Sequence, residues 1–553
     1  MSSVMRKILS SIILSFAVLC VCNAQNVSER VYLSTDRSVY VAGDDMFCSA
    51  FIFDASSRAL SVYSKTVYVE IASPEGPVAT GKIAAFDGRG GGVLNIPNTV
   101  PTGNYRVVAY TSQGINEDGF DVQAESRVIS VFNPFTLERS SAGVNIVPDN
   151  EYASSKEEPS ASGDVSISVG EVVSLTNNSD KPVSVSLSFF HNDGIAAPET
   201  PGIGEFISSI SAGSGFSGNV PSDFDGEVIR GRIVGVPEED MMELVGTMAY
   251  FSVPGRLPDV YASPVAEDGS VSFYTQNIYG KVDAVLELAK PKGNSHLELV
   301  SPFMGVRASG LAPLVMCQGL GPKLERRSMA MQLGVAQQID SLYGILPVPY
   351  NDAFSDGEEY ILDDFTRFPV MAELFVEFIK GASTRKQGDK RVISLTLRDT
   401  YKLTAPSNIP PLVTLDGVPV VDQSRIFDYD PLLVEKIVVY PNTYNIGGAL
   451  NSGVVNFITY KKNLPSYEFP DNARVLDYNG ASYPVVAYLP ALGSEYPDMR
   501  QTVLWHPMVD LEPGETRTLG YLRPSYSGSF DVVVEGVASD GTPVFGKTST
   551  ELK

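Results

Sequence analysis

The chain has 553 residues, 43% hydrophobic and 19% charged. That excludes wholesale disorder and, at roughly 100–200 residues per domain, sets an expectation of about three to five domains. Its 65 acidic against 41 basic residues give a formal charge of −24, which argues against the basic stripes that nucleic-acid binding requires. Three histidines and four cysteines leave little for His- or Cys-rich metal sites, whereas 48 Gly, 37 Pro, 26 Tyr and 26 Phe suit short strands joined by tight turns.

Arg6 and Lys7 open the chain, followed by an apolar run from Ile8 to Cys22 and then Asn23-Ala24. This is the pattern of a secretory signal peptide, residues 1–24, cut after Ala24. The run is short for a transmembrane helix, which needs about 20 residues. A signal anchor is the bland alternative. A lipoprotein signal fits less well, because Leu19 and Val21 precede Cys20 and Cys22 where a small residue belongs. Cleavage removes two positive charges and two cysteines. Cys48 and Cys317 remain among apolar neighbours and read as small buried hydrophobes, with a long-range disulfide left open. No later run is long and apolar enough for a transmembrane segment after cleavage.

The fold class is mainly β: multi-domain β-sandwiches with a helical connector and a small α+β domain. Residues 25–138 form the first sandwich, with strand-forming runs such as Phe47 to Phe53 and Tyr105 to Tyr110 punctuated by Gly43-Asp44 and Pro101-Thr102-Gly103. Residues 139–222 hold a polar linker around Ser154–Ser160 and a second sandwich, with a loop expected over Ser208–Gly218. A third sandwich covers 223–305. Over 306–385, Leu324, Ser328, Met331, Val335, Ile339 and Leu342 recur at helical spacing after Pro322, and a second helix is predicted over Met371 to Lys380. Residues 386–465 return to strands, with Asp416-Gly417 as a hairpin turn. Residues 466–553 read as a C-terminal sandwich with hairpin turns at Pro513-Gly514 and Asp540-Gly541.

Three stretches resemble known families. The run Val31-Tyr32-Leu33-Ser34-Thr35-Asp36-Arg37, with Tyr40, Gly43 and the later Gly103-Asn104-Tyr105, resembles the macroglobulin-type β-sandwich. The run Pro411 to Val420, then Asp430-Pro431, Val434 to Tyr440 and Gly453 to Thr459, resembles the plug domain of TonB-dependent outer-membrane receptors. A barrel of about 22 strands, each about 9–11 residues, could not be encoded in the 89 residues after Leu464, so transport by this chain alone is not expected. Gly226 to Val234 is similar to carboxypeptidase-regulatory-like sandwiches. With Asp498 to Pro507 and Gly528 to Gly536, these features resemble large secreted envelope proteins. The resemblance implies export to the periplasm or outer membrane of a Gram-negative bacterium, outer-membrane or envelope proteins as partners, and no catalytic residues.

The candidate chemistry is sparse. A macroglobulin thioester needs Cys-x-x-Gln, but Gln318 follows Cys317 directly. Gly541 to Thr548 matches the P-loop letters, yet no room remains for the helix whose N-terminus would face phosphate. His191, His296 and His506 are scattered over three modules, which suits neither a triad nor zinc. Asp223-Phe224-Asp225-Gly226 could touch calcium but reads better as a turn, and Asp363-Asp364 and Glu238-Glu239-Asp240 as solvated caps or loops. Trp505, the single tryptophan, reads as core. No catalytic, cofactor-binding or metal residues are assigned, and no cofactor. The expectation is a non-enzymatic envelope binding or scaffold protein, accessory to TonB-linked uptake. An adhesin or glycan-binding surface protein is the alternative.

Overall fold

The computed structural model describes residues 28–116, 118, 120–122, 126–152, 163–211, 218, 220–255, 260–276, 278–337, 343–345, 354, 356–398, 409–488 and 497–553. The expected signal peptide and the whole of the Ser154–Ser160 linker lie outside them. The fold is mainly β, built from packed sandwiches and one α+β module.

In the first sandwich, strands Glu29–Thr35, Asp45–Asp54 and Arg89–Asn95 form one sheet. The other holds Val39–Val41, Ser126–Phe132, Gly103–Tyr110, Thr66–Ser73 and Gly76–Ala84. Successive side chains on a strand point to opposite faces. Met46, Cys48, Ala50 and Ile52 therefore enter the core against Val69, Val107 and Ile129. Phe47, Phe51 and Phe53 point the other way. That second face is buried too, because another sandwich covers it.

The covering sandwich joins two segments that were expected to fold apart. Strand Val183–His191 lies between Thr502–Leu511 and Gly528–Ala538 and is antiparallel to both. Val165–Val169 and Val172–Asn177 pair onward to Thr516–Gly520. The separate sandwiches at 139–222 and 466–553 are thus corrected to one. The physical reason is the apolar strand Val183–His191, which needs a neighbour on each edge and finds both at the far end of the chain. The expected hairpin at Asp540-Gly541 is present, joining Gly528–Ala538 to Pro543–Leu552. The one at Pro513-Gly514 is not a hairpin. Thr502–Leu511 and Thr516–Gly520 lie in different sheets, so the turn is a corner between layers. The loop expected over Ser208–Gly218 is helical at its start, in Ile203–Ser209, whose Phe206 and Ile207 pack on Phe51 and Phe53, and residues 212–217 of it lie outside the described residues.

The third sandwich pairs Ser270–Tyr274, Val228–Val234 and His296–Leu299 over Val260–Pro264, Met248–Ser252 and Lys281–Leu288. Arg474–Asn479, from the C-terminal side of the α+β module, adds the fourth strand of the second sheet. The α+β module has a five-stranded sheet in the order Glu358–Ile361, Val434–Ile446, Ala449–Thr459, Leu412–Leu415, Val418–Pro419. Its turn at Asp416-Gly417 joins two paired strands with both residues at positive φ, 48° and 84°, as a two-residue hairpin of the primed type requires.

The helix expected after Pro322 is Gly321–Ala336, and Ile339 and Leu342 of the expected stripe lie outside the described residues. It does not sit in a separate connector. Leu314–Met316 before it pairs with Val144–Ile146, and Tyr343–Ile345 after it pairs with Val485–Tyr488. The helix Met371–Glu377, expected as connector, packs its Met371, Leu374 and Phe375 into the core of the α+β module. Gly43, at φ 97°, turns so tightly under the helix 321–336 that an added Cβ would lie 2.9 Å from the Met331 sulfur. Among the described residues no helix is long and apolar enough to cross a membrane.

Candidate functional site: clasps between modules and one exposed face

The Thr-Asp-Arg run lies where the first two sandwiches meet. Asp36 is fully buried. Its Oδ1 accepts from the Tyr40 hydroxyl at 2.8 Å and the Phe47 amide at 3.1 Å, and its Oδ2 accepts from Thr502 of the second sandwich. Arg37 lies beside it, 3.2 Å from Asp36 and 3.2 Å from Asp44. Burial pushes the Asp36 carboxyl above its ordinary value, with Arg37 and these donors pulling it back down. Glu535 makes the second clasp. It accepts from the Tyr32 hydroxyl at 2.9 Å and Ser34 at 2.5 Å, and pairs with Arg127 at 3.3 Å. Burial, then the neighbouring Glu535, raises the Tyr32 hydroxyl. Between the two clasps, Trp505 stacks on Phe47 at 5.3 Å beside Tyr488. Trp505 was expected inside one sandwich, and its indole instead fills the seam between two.

Similar clasps tie the third sandwich to the first. Asp223 accepts from the Tyr68 hydroxyl at 2.9 Å, from Ser112 and from the Val228 amide at 2.7 Å. Burial pushes its carboxyl up to about 6. The Asp223–Gly226 turn therefore holds modules together with the carboxylate that was weighed for calcium. Lys82 reaches Glu227 at 2.6 Å, the Tyr478 hydroxyl at 2.9 Å and the Asn479 carbonyl at 2.8 Å. Helix 321–336 is fixed by Arg327, whose guanidinium meets Asp193 at 2.7 and 2.9 Å and the Val39 carbonyl at 2.6 Å. Glu70 accepts from the Tyr110 hydroxyl and from the Met304 and Val306 amides, fastening that segment to the first sandwich.

The other candidates are not drawn together. Cys48 lies in the first core and Cys317 beside the helix 321–336, both as free thiols, and burial holds the Cys48 thiol up. His191 and His506 share a sheet, a correction to three separate modules, but His506 stands opposite Leu187. Burial lowers the pKa of both. His296 lies in the third sandwich, its ring 3.0 Å from the Asn294 carbonyl. The P-loop letters run through a turn into strand Pro543–Leu552, where Lys547 meets Asp531 at 3.0 Å. Asp363 accepts from the Tyr460 hydroxyl at 2.6 Å, and Asp240 pairs with Lys292 at 2.7 Å. Glu70, Glu227 and Glu535 were missed. For Glu70 and Glu535 the available signal was a lone carboxylate in an apolar strand, as in Val532-Val533-Val534-Glu535, whereas Glu227 follows Asp223 and Asp225 in a turn and gave no such signal.

The α+β module also carries an exposed apolar face. Phe365 and Phe378 stack at 4.2 Å, and Val376 beside them is 78% exposed. Arg367 donates to the Pro431, Leu432 and Val434 carbonyls and sits 6.0 Å over the Tyr460 ring, and Leu432 and Tyr460 are themselves exposed.

No family model matches the chain, and no curated protein matches it. Solved structures similar to it include trypsin-activated alpha-2-macroglobulin from Escherichia coli, at 9% identity and TM-score 0.22, covering 95% of this chain and 41% of that one. The native form of the same Escherichia coli protein aligns at 9% identity and TM-score 0.22, over 95% and 40%. A tetra-tandem repeat from the extending region of a large adhesion protein aligns at 9% identity and TM-score 0.13, over 95% and 99%. The chain spans about two fifths of the length of the macroglobulin chains.

Proposed function

We propose that this chain is an exported, non-enzymatic scaffold of the cell envelope that joins several modules and offers the α+β module to a partner protein. The observation that carries this reading is the use of the buried carboxylates. Asp36, Asp223 and Glu535 each accept from groups of another module, and Glu227 pairs with Lys82 of the first sandwich. A buried carboxylate held by several donors fixes geometry, and breaking such a set is costly. The exposed face around Phe365, Val376 and Leu432 has the apolar character of a contact site. The finer assignment is to the periplasm or outer membrane of a Gram-negative bacterium, as an accessory to TonB-linked uptake. It rests on the residue patterns at 31–44 and 411–459. Gentle crosslinking in isolated membranes, followed by pull-down, tests it. Recovery of an outer-membrane protein supports the reading, and recovery of no envelope protein refutes it.

A further inference from the structure

In the α+β module, strands Ala382–Gln387 and Lys390–Leu395 form a hairpin. Ala382, Ile393 and Leu395 seat its base in the module core. Its outer end is strongly basic in an acidic protein. Residues 380–391 hold Lys380, Arg385, Lys386, Lys390 and Arg391 against Asp389 alone, in a chain of net charge −24. Two of these cations are engaged: Lys390 meets Asp422 at 2.8 Å, and the Arg391 guanidinium lies 5.5 Å over the Phe427 ring. Arg385 and Lys386 are exposed and, among the described residues, meet no carboxylate.

The register adds a second observation. Lys386 stands directly opposite Arg391 across the ladder. Like charges at opposed positions destabilise a strand pair. A hairpin selected only to fold would place an acid at one of them. Among the described residues the two strands pair only with each other, and none of those residues adds a third strand beside Ala382–Gln387. Helix Met371–Glu377, which carries the exposed Val376, packs next to that strand.

We propose that this hairpin docks an acidic, extended segment of a partner protein. The partner backbone lies along Ala382–Gln387, as in strand addition, and its carboxylates meet Arg385 and Lys386. The inference rests on the scaffold reading for its setting and adds the chemistry of the partner. Charge complementarity favours a peptide over an anionic membrane. A membrane plane would face the acidic surface of the whole molecule. A single extended segment feels chiefly the charges within a Debye length, about 8 Å at physiological salt.

The test is binding of a fluorescent oligoglutamate peptide to the full mature chain, read by anisotropy. It is run beside phosphatidylglycerol vesicles and with two charge-matched variants. R385E/K386E changes only exposed side chains, and circular dichroism checks its fold. K281E/K290E makes the same charge change on the third sandwich. The expected result is salt-sensitive peptide binding, weakened about tenfold or more by R385E/K386E and by less than about twofold by K281E/K290E. Equal binding by wild type and R385E/K386E overturns the proposal, as does vesicle binding without peptide binding. Failure of the scaffold reading looks different: no envelope protein is crosslinked while the peptide still binds at the hairpin.

Discussion

Glu535→Ala removes the carboxylate that joins the first two sandwiches and leaves Arg127 buried without its counter-ion. The two side chains are 6% and 11% exposed, so the guanidinium gains little water in compensation. Removing one partner of such a pair costs about 3–5 kcal/mol. The freed Tyr32 hydroxyl, 2.9 Å away in the wild type, loses its acceptor as well. Trp505 is the only tryptophan and lies in the same seam, so its fluorescence in urea reports the junction directly. With a slope of about 2–3 kcal/mol per molar, the midpoint falls by about 1–2 M. Arg127→Met in the Glu535→Ala background removes the stranded charge and restores much of the loss. A midpoint shift below about 0.3 M, or a double variant as unstable as the two single changes added together, would refute the clasp.

Glu287 has one carboxylate oxygen, Oε2, buried without a hydrogen-bond partner, and burial pushes its pKa up to about 7 from an ordinary 4.5, with Arg425 acting the other way. The folded state therefore holds this proton more tightly than the unfolded state. The stabilisation is complete below about pH 4.5 and is lost as the pH rises through about 7. Glu287→Gln should accordingly gain about 2–4 kcal/mol relative to wild type between pH 5 and 8. Parallel melting curves across that range would count against it. Trp505→Ala should cost about 3–5 kcal/mol and loosen the seam to hydrogen exchange on both sides, in strands Asp45–Asp54 and Thr502–Leu511. Protection lost in one strand alone would place the indole in a single core. Cys48 and Cys317 should both resist a thiol reagent in the native protein and react in denaturant, with no disulfide formed on mild oxidation. A mass two hydrogens lighter would contradict their separation.

What could be read in the sequence was local. The Asp416-Gly417 turn, the start of the helix at Pro322 and the strand-forming run Phe47 to Phe53 depend on neighbours a few residues apart, and each is found where expected. What could not be read was long-range pairing. Nothing in Val183–His191 states that its edges will be met by Thr502–Leu511 and Gly528–Ala538, because a strand edge carries no address in its own residues. The same holds for Arg474–Asn479 joining the third sandwich. The clasps lay between these extremes. Thr-Asp-Arg stood out as a pattern, but its acceptor role toward Thr502 needed the fold. The exposed face around Val376 was hidden because Met371–Glu377 alternates like any amphipathic helix, and only the packing shows which apolar residue is left outside.

The most direct test of a scaffold that presents its α+β module is site-specific photocrosslinking from position 376 in intact envelopes, with a crosslinker at the buried position 434 as control. The expected result is an adduct between position 376 and an outer-membrane protein that disappears in the R385E/K386E chain and is absent from position 434. No adduct at 376, or the same adducts from both positions, would contradict a partner docked on this face.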